Sequence, residues 1–151
     1  MTNNRAADHL RNDPLWEGNV QSAIATHLVA EGARVIATAD TASQAHGVDI
    51  VAERDGQQLL IEVKGYPSGV YARGAKAGQR KKPQSAEPWL AKALFTTLRT
   101  RAKHPQARVG IGLPDMPRYR DLLSAIGDAL TILDIRVFMA RTDGSVYVWN
   151  A

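Results

Sequence analysis

Gly47-Val48-Asp49-Ile50-Val51-Ala52-Glu53-Arg54-Asp55-Gly56-Gln57-Gln58-Leu59-Leu60-Ile61-Glu62-Val63-Lys64-Gly65 is the stretch on which the reading of this chain turns. Asp55-Gly56 is a dipeptide that favours a two-residue turn between antiparallel strands, and the third strand it opens, Gln58 to Lys64, is rich in Leu, Ile and Val. Such a turn sets the register. Arg54 then faces Gln57, Ala52 faces Leu59, Ile50 faces Ile61, and Asp49 comes opposite Glu62 with β-carbons about 5 Å apart. Because side chains alternate along a strand, Glu62 and Lys64 share one face at a separation of roughly 7 Å.

Two carboxylates placed across a ladder repel, so the arrangement needs a raised carboxyl pKa or a cation between them. The cation is the simpler answer. Ligation by oxygen alone, with no cysteine and no paired histidines, points to a hard ion: Mg2+, with Mn2+ as a substitute. The Lys64 ammonium beside that pair suits phosphodiester hydrolysis, since it can orient an attacking water and offset charge building on phosphorus.

Working outward, the chain reads as α-β-β-β-α-β-α-β-β. Asp13-Pro14 predicts the start of a first helix and Gly32 its end. Val20, Ile24 and Leu28 recur there at helical spacing, with Glu17 on the same stripe and Gln21 one turn further on. Arg34 to Ala37 and Val48 to Glu53 read as the first two strands. A second helix is expected from Ser85 to Lys103, carrying Leu90, Leu94 and Leu98, with Trp89 as a core or helix-packing residue. His104-Pro105 ends it. Then follow a strand at Arg108 to Leu113, a helix at Tyr119 to Leu130, and strands at Ile132 to Met139 and Val146 to Trp149. The pattern predicts an α/β domain around a mixed central sheet flanked by helices.

At 151 residues, with hydrophobic side chains at 44% and charged ones at 23%, the chain is expected to be a single domain over 1–151 rather than a disordered segment. Residues 1–13 read as a poorly ordered arm. With no cysteine there is no disulfide and no cysteine-ligated metal. No apolar stretch suits a membrane span or a signal peptide, so the expectation is a cytoplasmic protein with no membrane partner. Net charge is only +4. Its distribution says more: residues 65–84 form a basic loop carrying Arg73, Lys76, Arg80, Lys81 and Lys82 with no acidic residue, directly after Glu62 and Lys64. These five cations are expected to contact a polyanion such as a nucleic-acid backbone, with Gln84, Tyr66 and Tyr71 as further nucleotide contacts.

Gly47-Val48-Asp49-Ile50 followed by Ile61-Glu62-Val63-Lys64-Gly65, preceded by a helix bearing Glu17, resembles the PD-(D/E)XK nuclease superfamily, the restriction-endonuclease-like enzymes. The resemblance spans about Leu15 to Leu113 and includes the α-β-β-β-α-β order of that superfamily's core, leaving a C-terminal helix and strands as decoration. Val48 stands where the family name has proline. The resemblance implies that Asp49 and Glu62 ligate the metal, that the Val63 carbonyl adds a ligand, that Lys64 handles the attacking water, and that Glu17 is the assisting helix carboxylate. It also implies DNA as the substrate.

The histidines His9, His27, His46 and His104 show no metal-ligand spacing, and His46, although near Asp49, reads as a loop residue without a role. The expected activity is a structure-selective or weakly specific endonuclease of repair, recombination or foreign-DNA restriction, with a homodimer as a possible assembly. A non-catalytic nucleic-acid-binding module or complex subunit on the same fold is the alternative.

Overall fold

The computed structural model describes residues 12–39, 47–66, 74–77 and 86–150. Among these, helix α1 (Glu17–Ala30) leads into strands β1 (Arg34–Thr38), β2 (Ile50–Arg54) and β3 (Gln57–Val63). Helix α2 (Ala86–Lys103), strand β4 (Arg108–Pro114), helix α3 (Pro117–Ile132) and strands β5 (Ile135–Ala140) and β6 (Val146–Val148) complete the chain. The α-β-β-β-α-β core is present. Its six strands form one mixed sheet in sequence order, parallel between β3, β4 and β5 and antiparallel elsewhere.

The β2–β3 hairpin has the register its turn demands. Asp55 and Gly56 both take positive φ, 52° and 75°, as a two-residue turn with the twist of the flanking strands requires. Ile50 pairs with Ile61, Ala52 with Leu59 and Arg54 with Gln57. The hairpin therefore sends Leu60 to one face of the sheet and Ile61 and Val63 to the other.

Each face has its own cover. Val20, Ile24 and Leu28 of α1 pack on Ile50, Ala52, Ile61 and Val63. On the far side, Leu90 and Ala93 of α2 and Tyr119, Leu123 and Leu130 of α3 pack on Leu60, Val109, Ile111, Val137 and Met139. Parallel neighbours need a crossover, and both crossover helices land on the same face because the strands are laid down in one direction. Full burial of each aliphatic side chain contributes about 1.5–3 kcal/mol, so this two-sided burial outweighs any single polar contact in the fold.

Three expectations are corrected. Helix α1 starts at Glu17, not after Asp13-Pro14: the Asp13 carboxylate accepts the Leu15 N–H at 3.0 Å in a turn, and Trp16 is the helix's N-cap. Holding this turn outside the helix leaves the Leu15 carbonyl free for the Tyr66 N–H, at 3.0 Å. Ile132 ends α3 rather than beginning a strand. The chain reverses through Leu133 and Asp134, whose φ is 52°, and the Arg101 guanidinium donates to both of their carbonyls. Trp89 is 38% exposed and Leu98 37%, because α2 buries Ala86, Leu90, Ala93 and Thr97 instead. No helix among the described residues is long and apolar enough to cross a membrane.

Candidate active site

Asp49 lies one residue before β2, where the ladder with β1 and β3 opens. Its backbone carbonyl accepts the Ala39 N–H at 2.8 Å, and its Oδ2 accepts the Val63 N–H at 2.7 Å. The carboxylate is thus tied across the strand pair. Glu62, next to Val63 and on the opposite face from it, brings its carboxyl close enough to Asp49 for the two groups to perturb each other's acidity. Lys64 Nζ sits 3.3 Å from Glu62 Oε1, with the two side chains only 17% and 13% exposed. A backbone bond from the Lys64 N–H to the Gly112 carbonyl, 2.9 Å, holds this end of β3 against β4.

Glu17 comes from the opposite layer. At the first turn of α1 it reaches the end of the sheet, close enough that its charge is felt at Glu62 and those of Asp49 and Lys64 at Glu17. Gly65 permits that approach: a β-carbon there would lie 2.8 Å from both the Glu17 nitrogen and the Leu15 carbonyl oxygen. Tyr119, fully buried at the start of α3, donates from its hydroxyl to the Gly65 carbonyl at 2.8 Å and meets the Tyr66 ring edge-on at 6.2 Å. Both helix layers therefore converge on the two residues after Lys64.

The electrostatics follow from burial. Glu62 is pushed up to about 7, first by desolvation and then by the Asp49 charge, against the opposing pull of Lys64. Desolvation likewise raises Asp49, opposed by the Val63 N–H and by Lys64, and raises Glu17. One ammonium among three acids leaves a net negative site that either holds protons or takes up a cation. Among the described residues no three His, Cys, Asp or Glu groups close into a ready metal cage. The close pair is Asp49 with Glu62.

Gln21, one turn beyond Glu17, donates from Nε2 to the Ala39 carbonyl at 2.8 Å. Its Oε1 is buried and has no hydrogen-bond partner, a state that costs about 1–3 kcal/mol. The structure places Asp49, Glu62, Lys64, Glu17 and the Val63 backbone together. It places Lys76 on an exposed turn, whereas Arg73, Arg80, Lys81, Lys82, Gln84, Tyr71 and His46 lie outside the described residues. Gly65 and Tyr119 were not singled out as site residues from sequence. The only local signal for Gly65 is its place directly after Lys64, and Tyr119 contacts it across 54 residues.

Comparison by sequence alone matches neither a protein-family model nor a curated protein. The two-sided sheet, however, has counterparts among solved structures. The fold is similar to that of an excision controlling factor. That protein, an FdxN element excision controlling factor from Anabaena variabilis, superposes with a TM-score of 0.53 and 17% identity, covering 87% of this chain and 98% of that one. An XisH family protein from Nostoc punctiforme PCC 73102 superposes with a TM-score of 0.48 and 14% identity, over 85% of this chain and 95% of that one. Coverage of the excision controlling factor exceeds what residues 15–113 alone could supply. The superposition therefore extends beyond the α-β-β-β-α-β core into the residues after Leu113.

Proposed function

We propose that this chain is a divalent-cation-dependent nuclease of the PD-(D/E)XK type that hydrolyses DNA phosphodiester bonds. Asp49, Glu62 and Lys64 form its catalytic set and Glu17 assists. The observation that carries this reading is the meeting of the Asp49 and Glu62 carboxyls beside the Lys64 ammonium, 3.3 Å from Glu62, in a half-buried recess at the end of β3. An ion pair serving stability alone has no use for a second carboxylate whose charge must be suppressed. The name of the excision controlling factor agrees with a partner of nucleic acid, and the basic stretch of sequence at 65–84 would supply the cations for its backbone.

The donor set fits Mg2+ or Mn2+: two carboxylates, all oxygen, with the Val63 carbonyl as the further ligand the family resemblance implies, and a hard ion of this kind needs only one or two protein carboxylates. When bound, the ion would supply positive charge to the phosphate oxygens. Asp49 and Glu62 would hold it in their unprotonated forms. Lys64 orients the attacking water and offsets charge on the phosphate. Glu17, from the other layer, bounds the recess and takes up a proton readily because its own acidity is suppressed. Water adds to phosphorus, giving up a proton to Glu17, as the bond to the sugar 3′-oxygen breaks; that oxygen leaves with the bonding pair and takes a proton from solvent, so the products are a 3′-hydroxyl and a 5′-phosphate. With no separate specificity module in the described fold, the enzyme is read as structure-selective or weakly specific, acting in repair, recombination or restriction.

The test is a cleavage screen over supercoiled plasmid, single strands, flaps and four-way junctions, with Mg2+, with Mn2+ and with EDTA. Asp49→Ala and Lys64→Ala are expected to lower the rate at least ~100-fold while leaving binding in EDTA intact. Binding with no cleavage of any substrate by the wild-type protein would make the chain a DNA-binding module instead.

A further inference from the structure

Asp49 occupies a weak place in the sheet. It lies outside the paired range of β2, at the mouth of the connection from β1, where a ladder frays first. Its carboxylate is tied to the Val63 N–H, and its backbone is held by a relay of two bonds: Gln21 Nε2 to the Ala39 carbonyl at 2.8 Å, and the Ala39 N–H to the Asp49 carbonyl at 2.8 Å. Through it, α1 reaches across to fix the strand end from which the Asp49 carboxylate projects.

A second observation is independent of the first. Gln21 is only 7% exposed, and its Oε1 is a buried side-chain oxygen without a hydrogen-bond donor. Buried acceptors find donors in nearly every folded protein, so a glutamine kept here at that cost is held for the bond its amide nitrogen makes to Ala39. Groups behind a metal ligand commonly orient it and are worth ~10–100-fold in metal affinity.

We infer that Gln21 is a positioning residue of the cation site: bonded to the Ala39 carbonyl, its amide nitrogen fixes the strand end from which Asp49 projects. The inference rests on the nuclease reading. Glu17, one turn earlier on the same stripe, faces the reacting groups directly, while Gln21 acts from behind Asp49.

The experiment is calorimetric titration of Mn2+ into the full chain, in the wild type, Asp49→Ala and Gln21→Met, alongside the Mn2+ dependence of DNA cleavage. Gln21→Met keeps the volume and removes both polar atoms. Its Mn2+ dissociation constant is expected to rise by at least ~10-fold. The Mn2+ concentration for half-maximal cleavage is expected to rise in step, while the rate at saturating Mn2+ stays within about three-fold. A folded Gln21→Met that binds Mn2+ like the wild type overturns the inference, as does a fall in saturated rate with no change in the Mn2+ requirement. If Gln21→Met does not fold, Gln21→Ala carries the same expectation and the same refutation. A wild type whose Mn2+ titration is matched by Asp49→Ala sinks the nuclease reading itself, a different result from failure at Gln21 alone.

Discussion

Glu62 is the residue at which stability and chemistry pull in opposite directions. Its carboxyl is raised from the ordinary 4.5 to about 7, chiefly by burial, so between those two pH values the folded protein holds a proton that the unfolded chain has released. Stability then falls as pH rises through that window; the penalty is absent below about 4.5 and complete above about 7, on the order of 2–3 kcal/mol. Glu62→Gln removes the charge, so without divalent ions at pH 8 it is expected to be more stable than the wild type by about 1–3 kcal/mol, and the two should converge near pH 4.5. Thermal melts across pH decide this, and a variant no more stable than the wild type at pH 8 refutes it. Mn2+ should narrow the gap by stabilising the wild type, because binding to the folded state alone adds to its stability. Lys64 opposes the rise at Glu62 but does not cancel it, since desolvation is the larger effect.

Elements rather than single groups decide whether that recess exists. Gly65→Ala would drive a β-carbon to 2.8 Å from the backbone at Leu15 and Glu17, and backbone cannot swing aside as a side chain can. A loss of about 1–3 kcal/mol is expected, with a further fall in cleavage rate as α1 and Glu17 back away; denaturant melts and single-turnover rates measure the two. Tyr119→Phe removes only the hydroxyl bond to the Gly65 carbonyl and should cost about 1 kcal/mol, visible as a shifted melt with little change in rate. The β2–β3 hairpin was legible in the sequence because its register depends on the local turn Asp55-Gly56, and so the approach of Asp49 to Glu62, one position past the Ile50–Ile61 pair, was legible too. Gly65, Tyr119 and the bond from Gln21 to Ala39 were not, since each is a contact between distant parts of the chain with no local periodicity to announce it. The run Ile132-Leu133 misled for a related reason: an apolar pair reads as strand, yet Ile132 is 84% exposed at the end of α3, where the turn at Asp134 overrides composition. The start of α1 failed similarly, its apparent Asp-Pro cap being displaced by the docking of Leu15 on Tyr66.

Across the whole molecule a net charge of +4 is too small for affinity to come from the overall field, so DNA binding should be set by local cations. In EDTA, the logarithm of affinity is expected to fall linearly with the logarithm of salt concentration. Replacing Arg80, Lys81 and Lys82 together by glutamate should make that slope shallower by about 2–3. Fluorescence anisotropy with a labelled duplex measures it, and an unchanged slope would move the contact surface elsewhere. Reversing Arg34, which pairs with Glu53 at the other end of the sheet, should leave the slope alone. The proposed reacting groups Asp49, Glu62 and Lys64 all lie within one hairpin of sixteen residues, while α1 and α3 contribute alignment. On the proposed function, chemistry and scaffold are separable: insertions or exchanges in the segment between β3 and α2, or along the outer surfaces of the helices, would redirect which nucleic acid is engaged without touching the hairpin proposed to perform the cut.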